Sequence, residues 1–332
     1  MKIINISDVH DDKWRWIEPK LLQFKMQWRF INSKPRSWME RVIRKPDLAR
    51  IRTALVVLKE KKDADLVVIH GPYIAFYFGL FSRLFNVAVP NIVYSFNFTS
   101  LPHGFARSRM TYAFKAINKF VVYSTMEKKL YSSWFNIPEE KIDICLWGVE
   151  KPRISDKAII NYPYITAIGG NSRDYSTLME AMKLVPEIKL VAVMRPHNLA
   201  DLDVPDNVDI RTNIPREQAN NILGYARMMV LPLVGEEIPC GHVTLVAAMY
   251  LETPCVVTGS IGIDDYVTHD DTAIIVEVGN SESLANAIRA LWYDDEMRNK
   301  LAEHGKYFVK ECCTERSIVE HFLKFVGEQV LD

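Results

Sequence analysis

Hydrophobic positions along the chain alternate between two spacings. Short apolar runs at 2–7, 66–69, 91–95, 120–123, 141–145, 164–168, 189–194, 207–211, 228–231, 255–257 and 272–276 have the length and β-branched content of buried strands. Between them lie stretches whose apolar residues recur every three or four positions. One opens at Pro46 and carries Leu48, Ile51, Leu55 and Leu58; others span 73–85, 105–118, 176–184, 216–225 and 242–251. Ser124 is placed to cap a further helix through Trp134. The chain closes on three helical patterns, 281–292, 295–312 and 314–331, the last with Ile318, Phe322, Phe325 and Val326 on one face. Strand and helix alternating in this way predict parallel, doubly wound α/β sheets. The rhythm breaks once, at WGVEKPRISDKAIINYP, which has no period and two prolines. Two Rossmann-like units joined by a linker are therefore expected: 1–150, and 151–313 followed by a last helix, 314–332.

Composition narrows the class. A length of 332 residues suits two ordinary domains. Forty-one basic residues balance forty-one acidic ones, which argues against a nucleic-acid partner. Five cysteines (Cys145, Cys240, Cys255, Cys312 and Cys313) make an odd count with no C-x-x-C spacing. They point to a reducing compartment rather than a disulfide framework or a zinc site. The opening MKIINISDVHDD turns acidic too early for a secretion signal, and the apolar run at 73–89 is broken by Ser82, Arg83 and Asn86, so a cytoplasmic protein is expected.

Charge is uneven in one place. Residues 13–52 hold twelve Lys or Arg against three acids, and four of the seven tryptophans: Trp14, Trp16, Trp28 and Trp38. Leu21, Phe24, Trp28 and Ile31 fit one helical face flanked by Lys20, Lys25 and Arg29. Basic residues beside aromatic ones suit peripheral contact with an anionic membrane surface; packing on the sheet and a polyanionic acceptor groove are the alternatives.

Two stretches carry candidate chemistry. Ser7-Asp8-Val9-His10 after the first strand is similar to the opening D-x-H of metallophosphoesterases, but no GD-x-x-D or GNH block follows. The second is LPLVGEEIPCGHVTLVAAMYLETPCVVTGSIG, read as strand, loop, helix, strand and loop. A helix opening after a glycine-containing loop aims free N–H groups and its dipole at an anion, so Gly241, His242, Val243 and Thr244 are candidate phosphate holders.

These residues also resemble a known family. Trp147-Gly148-Val149-Glu150 is similar to the N-G-V-D element at the domain junction of GT-B glycosyltransferases, in particular the large retaining glycosyltransferase family four (glycosyl transferases group 1). Gly169-Gly170 through Arg173-Asp174-Tyr175, with TLMEAM after it, resembles that family's glycine-arginine loop. GHVTLVAAM…TPCVVTGSIG resembles its signature helix, and TAIIVEVGNSESLANAIRAL the stretch that follows it. The resemblance implies a GT-B fold with the last helix crossing back to the first domain. It also implies a metal-independent, cofactor-free transferase whose nucleotide-sugar donor sits on the second domain and whose saccharide or lipid-linked acceptor sits on the first. Arg173, with Gly169 and Gly170, would then meet the diphosphate. Gly241–Thr244 would hold the distal phosphate, Arg195 would edge the base, and Glu236 or Glu237 would face the donor sugar. His10, Asn97 and His103 would face acceptor or sugar. The chain departs from the family at one carboxylate: Ala247 stands where the second signature glutamate belongs, and Pro239 lies eight residues before it. Alanine accepts no hydrogen bond, so either the ribose is held otherwise or the chain is a non-catalytic binding protein. Glu252 also replaces the usual glycine after the signature helix.

Overall fold

The computed structural model describes residues 1–8, 14–43, 47–60, 64–235 and 240–330. The chain divides into two compact units, Met1–Leu146 with Glu315–Asp332, and Trp147–Thr314. Each is a six-stranded, all-parallel sheet flanked by helices.

In the first unit the strands are β1 (Lys2–Ser7), β2 (Gln27–Asn32), β3 (Leu66–His70), β4 (Asn91–Tyr94), β5 (Lys119–Val122) and β6 (Ile142–Ile144), in the order β2-β1-β3-β4-β5-β6. Every residue of β3 and β4 is buried. This is the signature of a parallel sheet covered on both faces, and it is why these runs lack polar alternation. The helices are α1 (Trp38–Val42), α2 (Leu48–Lys59), α3 (Pro72–Leu84), α4 (Gly104–Phe114) and α5 (Thr125–Phe135). Ser124 Oγ accepts from Glu127 N, and the Glu127 carboxylate accepts from Tyr123 N, a reciprocal cap that starts α5. Asn136, at φ +55°, ends it. α3 and α4 pack so tightly that a Cβ at Gly79 would land on the Ala113 carbonyl.

The last helix, α11 (Glu315–Val330), belongs to this first unit. Phe322 and Phe325 are buried among Ile3, Leu66, Val68, Ile92 and Val121. At the usual value for a buried aromatic side chain, each contributes about 2–3 kcal/mol. His321 bridges Tyr94 Oη (2.9 Å) and Asp143 Oδ2 (3.2 Å) beside them.

The stretch 13–52 corrects the expectation of a helical face. Leu21 follows a short 3₁₀ turn, and Gln27–Asn32 is strand β2, paired in parallel with β1 at Ile3↔Trp28 and Ile4↔Arg29. The aromatic and β-branched run Trp28-Arg29-Phe30-Ile31 favours a pleated edge, and tertiary pairing overrides the weak helical spacing. Trp16 and Trp28 lie edge-on and tilted against Phe322 at 5.4 and 5.6 Å, so these two rings help cover α11 instead of facing outward. α2 is turned relative to its expected face: Ala49, Thr53, Ala54, Val57 and Leu58 are buried and Leu55 is exposed, because the small residues let the helix approach the sheet.

In the second unit the strands are β7 (Ile165–Ile168), β8 (Leu190–Met194), β9 (Val208–Thr212), β10 (Met229–Leu231), β11 (Cys255–Thr258) and β12 (Ile274–Val276), ordered β12-β11-β10-β7-β8-β9. Among the described residues the flanking α-helices are α6 (Tyr175–Leu184), α7 (Arg216–Tyr225), α8 (His242–Tyr250), α9 (Ser281–Tyr293) and α10 (Asp295–Cys312). The aperiodic stretch after Leu146 is tied down along this unit: Trp147 N donates to Tyr266 Oη (2.9 Å), Val149 N to Cys313 O (3.1 Å) and Ile159 N to Asn221 Oδ1 (3.1 Å).

Candidate functional site

The second sheet reverses its winding between β7 and β10: β7-β8-β9 progresses one way and β10-β11-β12 the other. In open parallel sheets a ligand binds beyond the carboxyl ends of the strands at that reversal. Two loops lie there. One runs from Gly169 to Asp174 after β7, and the other follows β10 at Pro232. They are stitched together, with Asp174 N donating to Pro232 O (3.0 Å), Val234 N to Ser172 O (3.2 Å), and Arg173 bridged to Leu233.

Arg173 lies at the centre. Its Nη1 donates to Asn171 O (2.9 Å) and approaches Cys240 Sγ (3.8 Å); Nη2 reaches Thr244 Oγ1 (3.4 Å). Its Nε is buried with no acceptor among the described residues. Gly169 makes room for it. At φ +129° it adopts a backbone that L side chains avoid, and a Cβ there would lie 2.8 Å from Arg173 Nη2. Tyr175 Oη fixes the turn by donating to Gly169 O (2.6 Å). The neighbouring Asp174 does not neutralise the guanidinium, because its two oxygens cap α6 through Thr177 N (3.0 Å) and Thr177 Oγ1 (2.6 Å). Among the described residues Arg173 has no carboxylate partner, and its guanidinium meets neutral dipoles there.

The N-terminus of α8 opens beside it. Gly241, at φ +100°, is the N-cap and supplies no side-chain oxygen. Thr244 N and Leu245 N turn back to Gly241 O, so the amide of Thr244 is already spent and its hydroxyl is what faces Arg173. Val243 is exposed. His242 is buried against Tyr266, with ring centroids 5.8 Å apart and nearly coplanar. Burial, then the Arg173 charge, lowers its imidazole to about 4. It is therefore neutral at pH 7 and shapes the site without adding charge.

Arg195 follows β8 and drapes its aliphatic stem over Gly170, where a Cβ would meet its Cγ at 2.6 Å. Asn198 clamps the turn, accepting from Arg195 N (3.2 Å) and donating to Gly170 O (3.1 Å). Two arginines thus flank one Gly-Gly pair at the sheet edge. Glu236 and Glu237 lie outside the described residues, as does His10. Ala247 is half-buried in the second turn of α8. Glu252 takes φ +61°, the left-handed region that favours glycine, and Lys306 holds its carboxylate at 2.7 Å.

In the first unit, Asn97 and His103 share the loop between β4 and α4 and are both exposed. His103 stands edge-on to Trp134 at 5.1 Å, and no bond links it to Asn97 among the described residues. Asp8, singled out in the Ser7-Asp8-Val9-His10 stretch, has a partner that local spacing did not anticipate. Asp8, at the end of β1 where this sheet reverses, is nearly buried and bonded to Arg50 Nε (2.8 Å); Arg50 Nη1 also holds Asp47 (2.7 Å). Burial outweighs Arg50 and raises the Asp8 carboxyl above its usual range. Arg50 itself is marked in the sequence by Asp47-x-x-Arg50, an ordinary helix-start pattern.

With this geometry in hand, comparison with known proteins places the fold. Residues 171–308 match the family model of glycosyl transferases group 1. No curated protein matches the chain by sequence. Three solved structures share its fold end to end. Sucrose-phosphate synthase from Thermosynechococcus elongatus has 13% identity, covers 100% of both chains and gives a TM-score of 0.76. HepE of Anabaena, solved with UDP, has 13% identity over 99% of this chain and 100% of its own, with a TM-score of 0.73. A glycosyltransferase from Rickettsia africae has 13% identity over 99% and 98%, with a TM-score of 0.71. The two parallel sheets are those of the GT-B architecture.

Proposed function

Because residues 171–308 match the glycosyl transferases group 1 model and both sheets have the GT-B architecture, we propose that the protein is a glycosyltransferase, that its second unit binds a nucleotide-sugar and that the sugar passes to a saccharide acceptor, free or lipid-linked, with retention of configuration. The observation that carries this reading is Arg173, a half-buried cation held over Gly169 at the sheet's reversal point beside the N-terminus of α8, with a buried Nε that has no acceptor among the described residues.

The chemistry required is stabilisation of a departing diphosphate while positive charge builds on the sugar. Arg173 and the first turn of α8 supply fixed positive potential where the negative charge grows, without reorganising during the reaction. Gly169 and Gly170 let the phosphates approach backbone closely, and Thr244 Oγ1 offers a further polar contact. Arg195 stacks on or bonds to the base. Glu236 or Glu237 orients the donor sugar, while His10, Asn97 and His103 serve the acceptor side. UDP is the first nucleotide to test, since HepE was solved with UDP and with UDP-glucose. Contact of residues 13–52 with an anionic membrane surface remains part of this reading on narrower ground: Trp38, Met39 and Val42 of α1 are exposed beside Arg36 and Arg41.

Thermal unfolding with UDP, GDP, ADP and CMP, and with their sugar conjugates, tests the donor half. At about a hundred times its dissociation constant a ligand adds roughly 2.7 kcal/mol. One diphosphate should raise the midpoint in the native protein and fail to do so in Arg173→Ala. Stabilisation by none of them sinks the reading. Because Ala247 replaces a carboxylate, a second reading is a nucleotide-sugar binder that transfers nothing. Tight binding of a nucleotide-sugar, with no sugar released to water or acceptor over hours, would favour it.

A further inference from the structure

Residues 66–126 contain no Asp or Glu. At the chain's average of 41 acids in 332 residues, about seven would be expected, and the same window holds five Lys or Arg. Within this stretch α3 and α4 form an adjoining pair. Their outer face has a consistent make-up. Phe105 is 79% exposed, Leu84 60% and Phe85 59%, and Tyr73 and Tyr112 are exposed too. The cations lie flat on rings: Arg83 sits 4.2 Å over Tyr112, Arg109 5.3 Å from Phe76 and 5.6 Å from Phe105, and Arg107 4.7 Å over Trp134 on α5. Among the described residues none of Arg83, Arg107, Arg109 and Lys115 forms an ion pair, whereas Arg29, Arg50, Arg52, Arg211 and Arg289 elsewhere each do.

We propose that the outer face of α3 and α4 docks the protein on an anionic lipid surface. Two features of the face select that occupant. Neither helix carries an acid of its own to repel headgroup phosphates, and the arginines on them draw the face to anionic lipid. Bare Phe105, Leu84 and Phe85 among the arginines gain nothing from a hydrated polyanion but gain burial in the headgroup–acyl boundary, where aromatic and basic residues sit together. This surface is distinct from residues 13–52, and its claim does not depend on the donor site, so it stands or falls apart from the transferase reading.

The test uses the full chain in flotation with phosphatidylcholine vesicles and with vesicles containing roughly a third phosphatidylglycerol. The protein should float with the anionic vesicles only, and salt should release it. Each interfacial arginine is worth about fivefold in partitioning, so R83Q/R107Q/R109Q should weaken binding on the order of a hundredfold. Phe105→Asp, at a side chain that stands in solvent and so cannot unfold the layer, should weaken it at least roughly tenfold. Trp38→Ser, on the separate α1 surface, should weaken it less than Phe105→Asp does. The proposal is overturned if the anionic vesicles are not bound, if neutral and anionic vesicles bind alike, or if only Trp38→Ser weakens binding. Capture by dextran sulfate without capture by vesicles overturns it equally, since the face would then serve a dissolved polyanion.

Discussion

Glu127 makes the first unit's stability depend on pH, and the size of the effect follows from its surroundings. The side chain is fully buried at the first turn of α5. It accepts from Tyr123 N at 2.7 Å, and Ser124 Oγ and Tyr131 Oη stand at 3.4 and 3.5 Å. Burial dominates these bonds and raises the carboxyl from 4.5 to about 7. The folded state therefore holds the proton more tightly than the unfolded chain. Its stabilising contribution is complete below pH 4.5, falls as pH rises, and is gone above about 7. At 1.36 kcal/mol per pKa unit the loss is about 3 kcal/mol. Glu127→Gln keeps the acceptor for Tyr123 N but cannot ionise. Melting midpoints of native and variant protein at a series of pH values from 4.5 to 8 provide the assay. The variant should match the native protein or fall slightly below it near pH 4.5, and exceed it by roughly 5–10 °C at pH 8. Tyr123 and Tyr131 stay neutral throughout, because burial raises both hydroxyls well beyond that range. A difference between the two proteins that does not change with pH would refute the reasoning.

Two further substitutions probe the second unit. Gly169→Ala should cost about 1–3 kcal/mol, because alanine is strained at φ +129°. It should also weaken nucleotide binding at least tenfold in calorimetry, because its Cβ displaces Arg173; unchanged affinity would remove Arg173 from the site. Asn207 Nδ2 ties the carbonyls of Met182, Val185 and Ile188 between α6 and β8. Asn207→Ala should cost about 2–3 kcal/mol by stranding buried acceptors, read as a lower urea midpoint.

Periodicity alone was enough for most of this fold. Strands such as β3 and β8 are continuous apolar runs, and helices such as α7 and α10 have the bounds their spacing predicts, because a doubly covered parallel sheet leaves each element little choice of face. It was not enough at 27–32, where helical and strand spacing both fit and the outcome rested on whether β1 had a free edge to pair with. The same holds for α2, whose buried face was settled by how closely small residues could approach the sheet.

For the site, the sequence by itself determined the ingredients: a Gly-Gly pair, an arginine four positions later, and a helix opening after a glycine. Only the tertiary structure decided what each does. It put Arg173 against Thr244, seventy-one residues away, spent the Thr244 amide inside α8, and drew Asp174 off to cap α6. It also buried His242 deeply enough to keep it neutral. Local spacing encodes which backbone conformations are cheap. Which charges stay uncompensated depends on partners brought together by the sheet's winding, and those lie far apart in the chain.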